Sequence, residues 1–167
     1  SSKNTLTGNS ANNTLKGNDG NDTINAKDGS DTIDGGKGAD KMNGGKGDDS
    51  YTIENKNDLV SENKNEGTDS VSSSITYKLP NNVEDLTLTG SKAINATGNG
   101  SSNLLTGNSG KNKLTGNNGD DTIDGGKGAD NMIGGKNNDT YHVDNKKDVV
   151  TENKNQGIDT VISEITY

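Results

Sequence analysis

The chain has 167 residues, a net charge of −8, 24 glycines, one proline and no cysteine. Hydrophobic residues make up 23% and aromatic ones 2%, too few for an ordinary globular core, so the chain is either disordered or held by something other than apolar burial. The missing cysteines exclude disulfides and thiolate metal sites, the lone His142 cannot build a zinc site, and the acidic balance argues against nucleic acid and anionic membrane surfaces.

Residues 1–52 form a first block of nine-residue units that begin at Gly8, Gly17, Ala26, Gly35 and Gly44. The clearest is Gly35-Gly36-Lys37-Gly38-Ala39-Asp40-Lys41-Met42-Asn43, or G-G-x-G-x-D-x-U-x with U apolar. The eighth place is Leu15, Ile24, Ile33, Met42 and Tyr51 in turn. The sixth is Asn13, Asp22, Asp31, Asp40 and Asp49. Places seven to nine predict a three-residue strand whose middle side chain points inward, and places one to six a tight turn. Such a turn needs residues at positive φ, which glycine adopts without strain and asparagine tolerates; Asn108, Asn117 and Asn137 take these slots in the second block.

Residues 53–97 form a spacer in which the glycine spacing is lost and β-branched residues appear. Pro80-Asn81-Asn82 predicts a turn, and the alternation in Glu84-Asp-Leu-Thr-Leu-Thr89 a half-buried strand. Asp58, Glu62 and Asp69, matched later by Asp148, Glu152 and Asp159, are read as a solvated acidic face in preference to an extra cation site.

Residues 98–142 form a second block, with Leu105, Leu114, Ile123, Met132 and Tyr141 at place eight and Asn103, Asn112, Asp121, Asp130 and Asp139 at place six. Asp31–Asp40 recurs letter for letter at Asp121–Asp130, and Ile75-Thr-Tyr77 recurs at Ile165-Thr-Tyr167. Residues 143–167 begin a second spacer. The chain opens without Met and stops mid-cassette, which predicts a piece of a longer protein with more copies. Tyr51 and Tyr141 are expected to plug the ends of the blocks, and His142, whose counterpart is Thr52, to face solvent.

Two units make one coil, so turns two units apart stack. A cation between them meets backbone carbonyls and place-six carboxylates from both turns, an oxygen-only shell that suits Ca²⁺. The best pairs are Asp22 with Asp40, Asp31 with Asp49, and Asp121 with Asp139. Asn112 with Asp130, Asn103 with Asp121, and Asn13 with Asp31 have one charge fewer and should bind more weakly. The place-four glycines Gly20, Gly29, Gly38, Gly47, Gly119 and Gly128 complete the candidate metal-site residues. If each site binds Ca²⁺ at about 0.1 mM, about 2 mM of the ion contributes about 1.8 kcal/mol per site. Four such sites would match the stability of a small domain, about 5–15 kcal/mol.

The ten units resemble the RTX (repeats-in-toxin) family, whose members carry the G-G-x-G-x-D-x-U-x nonapeptide. The spacer segments Tyr51-Thr-Ile-Glu-Asn, Asn65-Glu-Gly-Thr-Asp69 and Asn82-Val-Glu-Asp-Leu-Thr-Leu-Thr-Gly90 look like the long cassettes of large RTX surface and secreted proteins. The resemblance implies an all-β, right-handed parallel β-roll, Ca²⁺ between alternate turns, and type I export from a Gram-negative bacterium to the outside or the cell surface. The partners expected are calcium ions and neighbouring modules of the parent, with no nucleic acid and no membrane insertion. The chain is expected to be non-catalytic, a structural or display segment that folds on Ca²⁺. Alternatives are a polysaccharide-binding module, similar to the repeats of secreted alginate epimerases, or the tail of a secreted hydrolase or pore-forming toxin. Departures from the motif weaken the block edges: Ala26-Lys27 for Gly-Gly, and Ala11 and Ser101 at place four.

Overall fold

A computed structural model describes residues 2–165. The repeat of Thr166 and Tyr167 with Thr76 and Tyr77 lies outside the described residues. Each apolar eighth place centres a short strand, because its flanking polar residues face out while it faces in. The first block gives β1 (Thr5–Thr7), β2 (Thr14–Lys16), β3 (Thr23–Asp28), β4 (Thr32–Asp34), β5 (Lys41–Lys46) and β6 (Ser50–Ile53). The spacer continues with β7 (Leu59–Ser61), β8 (Ser70–Ser73), β9 (Tyr77–Lys78), β10 (Asp85–Leu88) and β11 (Ala96–Thr97). Then follow β12 (Leu104–Thr106), β13 (Lys113–Asn118), β14 (Thr122–Asp124), β15 (Asn131–Lys136), β16 (Thr140–Val143), β17 (Val149–Thr151) and β18 (Thr160–Ser163).

Every pairing between these strands is parallel, and the described residues contain no helix. The fold is a right-handed parallel β-roll of about nine turns. Even-numbered strands form one nine-stranded sheet from β2 to β18 that runs through the spacer without a break. Its inward file is Leu15, Ile33, Tyr51, Val71, Leu86, Leu105, Ile123, Tyr141 and Val161, each in register with the next. Odd-numbered strands face it in two sheets, β1-β3-β5-β7 and β9-β11-β13-β15-β17. Ile24 and Met42 lie on the first of these, opposite Ile33 and Tyr51, as the eighteen-residue coil requires.

The core is filled by the facing files of side chains from the two faces, with Ile33, Tyr51, Leu86, Leu105, Ile123 and Tyr141 from one and Ile24, Met42, Leu114 and Met132 from the other fully buried. β10 has the alternation expected, with Leu86 and Leu88 buried and Asp85 and Thr87 turned out. Asn82 takes φ 62° in the turn after Pro80. The break between β7 and β9 opens a groove of about 780 Å³ lined by Lys56, Leu59, Tyr77, Pro80 and Asn99 among others. At the far end Val161 is 52% exposed, whereas its counterpart Val71, covered by β10, is 1% exposed. Among the described residues no helix is long and apolar enough to cross a membrane.

Candidate metal centres

The turns come in two conformations, and place six decides which. Where place six is Asp, places two and four are left-handed. Gly36 and Gly38 have φ 81° and 153°, Asn18 and Gly20 have 70° and 140°, and Asn117 and Gly119 have 89° and 107°. Asn137 at place four has φ 82°, and Lys27 takes 84° at place two without being Gly or Asn. Where place six is Asn, neither position is left-handed. Asn108 is therefore not in the positive-φ slot that its position suggested. Its Oδ1 instead accepts from the Gly110 N–H at 2.8 Å, and its Nδ2 donates to the Thr89 and Lys92 carbonyls. Asn9 and Asn99 make the same side-chain turn onto Ala11 and Ser101. This explains why place four tolerates Ala and Ser there: with no positive φ, a Cβ carries no backbone strain.

In the Asp turns each carboxylate bridges two coils. Asp40 Oδ1 accepts from the Asp22 N–H at 2.7 Å, Asp49 Oδ1 from Asp31 at 2.7 Å, and Asp139 Oδ1 from Asp121 at 2.8 Å. The mixed pairs adjoin in the same way: Asp31 accepts from Asn13, Asp121 from Asn103 and Asp130 from Asn112. So the structure brings together all six pairs named from the sequence. The other oxygen is different. Oδ2 of Asp22, Asp31, Asp40, Asp49, Asp121, Asp130 and Asp139 is buried with no hydrogen-bond partner among the described residues. These residues are 2% exposed or less. A buried carboxylate oxygen without a donor carries a desolvation penalty of several kcal/mol unless a cation or proton meets it.

Backbone oxygens converge on the same spaces. A Cβ added to Gly17 would collide with both Asp22 Oδ2 and the Gly35 carbonyl, and one added to Gly116 with Asp121 Oδ2 and the Gly134 carbonyl. Place one is thus glycine in all units but that of Ala26, because its side of the turn is a cradle of oxygens. These place-one carbonyls were missed from sequence, where the glycine was read only as a turn former. The place-four carbonyls named from sequence also face the neighbouring coil: that of Gly20 faces Gly38, and that of Gly29 faces Gly47. Gly119 and Gly128 occupy the equivalent left-handed positions in the second block.

At the Asn turns the second side-chain atom is a donor and is satisfied. Asn112 Nδ2 donates to the Ile94 carbonyl at 2.6 Å and to Asn108 Oδ1 at 3.1 Å; Asn103 Nδ2 donates to the Val83 and Glu84 carbonyls. Asn13 Nδ2 donates to Asn9 Oδ1 at 3.3 Å. The amide N–H₂ does there what the Asp turns leave undone.

In five of these carboxyls burial raises the pKa most, and neighbouring carboxylates raise it further against the lowering effect of the backbone N–H each accepts. Asp121 is pushed up to about 7, and Asp49, Asp130 and Asp139 to about 6. Asp40 is raised for the same reasons. Burial likewise takes Asp69 to about 7.

The ladder extends past the nonapeptides. Asp40 donates its N–H to Asp58 Oδ1 at 3.1 Å, Asp49 to Asp69 Oδ1 at 2.9 Å, and Asp69 to Glu84 Oε2 at 2.9 Å. Asp58, Glu62, Asp69 and Asp148 are 5%, 7%, 1% and 5% exposed. The solvated acidic face expected for the spacer is therefore wrong for these residues, because they lie on the inner edge of the coil. The signal was present for Asp58 and Asp148, which stand eighteen residues after Asp40 and Asp130. Asp69 and Asp159 stand twenty after Asp49 and Asp139, so the coil lengthens there and the period hides them. Tyr51 and Tyr141 are fully buried at the block ends, and each hydroxyl donates to a spacer carboxylate, Glu62 or Glu152. His142 is partly exposed on β16.

The model of the RTX calcium-binding nonapeptide repeat matches four times, at residues 1–33, 17–51, 97–132 and 106–141, which together are more than half of the chain. The chain belongs to that family. Comparison with curated proteins returns no match. As an RTX repeat region it binds calcium, and the RTX roll is a structural calcium-binding fold. The residues present fit the ion: an all-oxygen donor set of paired carboxylates and carbonyls, with one carboxylate oxygen of each Asp lacking any other partner.

Proposed function

We propose that this chain is a segment that folds on Ca²⁺ and acts as a stiff extender or display element of a larger exported protein. The single observation that carries it is the row of buried, unpartnered Oδ2 atoms on both edges of the roll. The ions belong between Asp22 and Asp40, Asp31 and Asp49, and Asp121 and Asp139, with the carbonyls of the place-one and place-four glycines. Asp130 completes the set with the carbonyls around it. Asn13, Asn103 and Asn112 stand at weaker positions, since amide hydrogen bonds already hold their turns. We take the nonapeptide blocks as the calcium-loading parts and the spacer as the joint between them.

Export by a type I system to the cell exterior accords with this chemistry. Millimolar calcium outside and micromolar calcium inside would keep the chain unfolded until it leaves. A non-catalytic role follows from the commitment of the buried carboxylates to ions, which makes them poor acids or bases.

Circular dichroism of the whole chain in EDTA and in millimolar Ca²⁺ tests the reading. The expected result is a β signal that collapses in EDTA and returns with Ca²⁺ but not with equal Mg²⁺, which demands a smaller, more rigid shell. An unchanged signal in EDTA overturns it.

A second reading has one observation in its favour. The groove between β7 and β9 presents Tyr77, Pro80, Lys56 and Asn99 at the interruption of the odd-strand face, a shape and polarity that suit an acidic polysaccharide. Retention of the calcium-loaded chain on alginate, lost in Lys56→Ala and Tyr77→Ala, would support it; a pure extender binds nothing there.

A further inference from the structure

Three carboxylates meet at the junction of each block with the coil that follows. Asp49 comes from the last nonapeptide turn, Glu62 from the strand end after β7, and Asp69 from the approach to β8. One ligand atom from each lies within 4.8 Å of the other two. Ninety residues later Asp139, Glu152 and Asp159 meet the same criterion. Oxygens on opposite sides of a calcium ion at 2.3–2.6 Å stand roughly 4.6–5.2 Å apart, so the spacing suits one such ion.

The second observation is the state of the side chains. Asp49 and Asp69 are each 1% exposed, and Oδ2 of both has no hydrogen-bond partner among the described residues. Asp139 Oδ2 and Glu152 Oε2 are also unpartnered. The remaining oxygens are fixed. Asp49 Oδ1 and Asp69 Oδ1 take backbone N–H groups, and Glu62 accepts from the Gly44 and Gly45 N–H groups at 3.2 and 3.4 Å and from the Tyr51 hydroxyl. The cluster is thus held rigid while presenting bare oxygens inward. Among the described residues no lysine forms an ion pair with any of the six carboxylates. Three carboxylates crowded together in this way repel one another, and either a bound cation or added protons must relieve that repulsion.

We propose that Asp49, Glu62 and Asp69, and again Asp139, Glu152 and Asp159, each form a calcium site distinct from those between nonapeptide turns. It takes two ligands from outside the nonapeptide motif and sets three carboxylates, not two, around one ion. It therefore fills first on titration and fixes the seam between block and spacer. Tyr51 and Tyr141 stand beside it: a Cβ on Gly44 would touch both Asp49 Oδ2 and the Tyr51 hydroxyl, and one on Gly134 both Asp139 Oδ2 and the Tyr141 hydroxyl. The proposal rests on the calcium-folding reading only through Asp49 and Asp139, and it stands or falls on Glu62 and Asp69.

Terbium luminescence excited through tyrosine is the test, with Tb³⁺ as the probe on the whole chain and calorimetry with Ca²⁺ beside it. The first two equivalents of Tb³⁺ should give most of the sensitised emission. The variant Glu62→Gln/Glu152→Gln, with folding checked by circular dichroism in excess Ca²⁺, should lose two ions per chain and at least ten-fold in affinity at the first step. Tyr51→Phe/Tyr141→Phe keeps all six carboxylates, so it should keep the ion count and lose the emission. Unchanged calcium stoichiometry and affinity in the glutamine variant, or unchanged emission in the phenylalanine variant, overturns the junction site. If the wild-type chain takes up no ions at all, the calcium-folding reading fails with it. Loss of the interior ions alone, with these two retained, leaves the junction site standing.

Discussion

Gly38 shows how little freedom a single position in this roll has. Its φ of 153° and its position against the Gly20 carbonyl leave no room for a side chain. Gly38→Ala should therefore cost about 2–3 kcal/mol, the sum of backbone strain and a displaced neighbouring coil. Thermal unfolding in saturating Ca²⁺ would measure it. Gly100→Ala is the control, since nothing lies within 4 Å of its Cβ and its φ is not left-handed; its effect should stay within about 0.5 kcal/mol. Lys27 is the converse case. It holds φ 84° with a Cβ, so Lys27→Gly should raise stability by up to about 1 kcal/mol, the strain relieved less the entropy glycine adds to the unfolded chain. A fall in melting temperature would contradict this.

At the level of the turn, two closing devices share one stack, with the Asn turns at the start of each block. The Asp turn keeps an oxygen bare for a cation, and the Asn turn closes on its own amide. Restoring the consensus at an Asn turn should therefore harm the fold. Asn112→Asp would set a carboxylate oxygen against the Ile94 carbonyl and Asn108 Oδ1, both of which now receive an N–H. A loss of about 1–3 kcal/mol is expected in saturating Ca²⁺, with no added ion by calorimetry. A gained ion would mean that the turn reopens. The nonapeptide period made the strands, the facing files and the place-six pairs legible, because a side chain that recurs every nine residues can only line a coil of eighteen. Turn chemistry was less legible: Asn108 looked like a glycine substitute, and only its contacts show it bonding Gly110 instead of adopting positive φ. Asp69 was placed on the wrong face, because the step from Asp49 to Asp69 is two residues longer than a nonapeptide coil; Asp58 keeps the eighteen-residue step from Asp40 and could have been read from it. Glu62 stands at no place-six position and is identified by the Tyr51 hydroxyl that it accepts.

For the whole roll, the same carboxyls should give pH responses of opposite sign with and without metal. In the metal-free fold Asp121 and Asp69 titrate at about 7 and Asp49, Asp130 and Asp139 at about 6, all above the ordinary value of 3.8. Raised values mean that the fold binds protons more tightly than the unfolded chain does. Their contribution is complete below about 4 and is lost as pH rises through about 6 to 7. A chain in EDTA should thus gain β signal as pH falls from about 8 toward 5. With calcium bound the carboxylates are held ionised, and protons compete with the ion. Stability in millimolar Ca²⁺ should therefore fall over the same interval, as the apparent calcium affinity drops. Melting temperatures plotted against pH in EDTA and in Ca²⁺ should converge on the acid side and diverge above neutrality. Parallel curves would show that the buried oxygens are not where protons and calcium compete, and the link between the bare Oδ2 rows and folding would be lost.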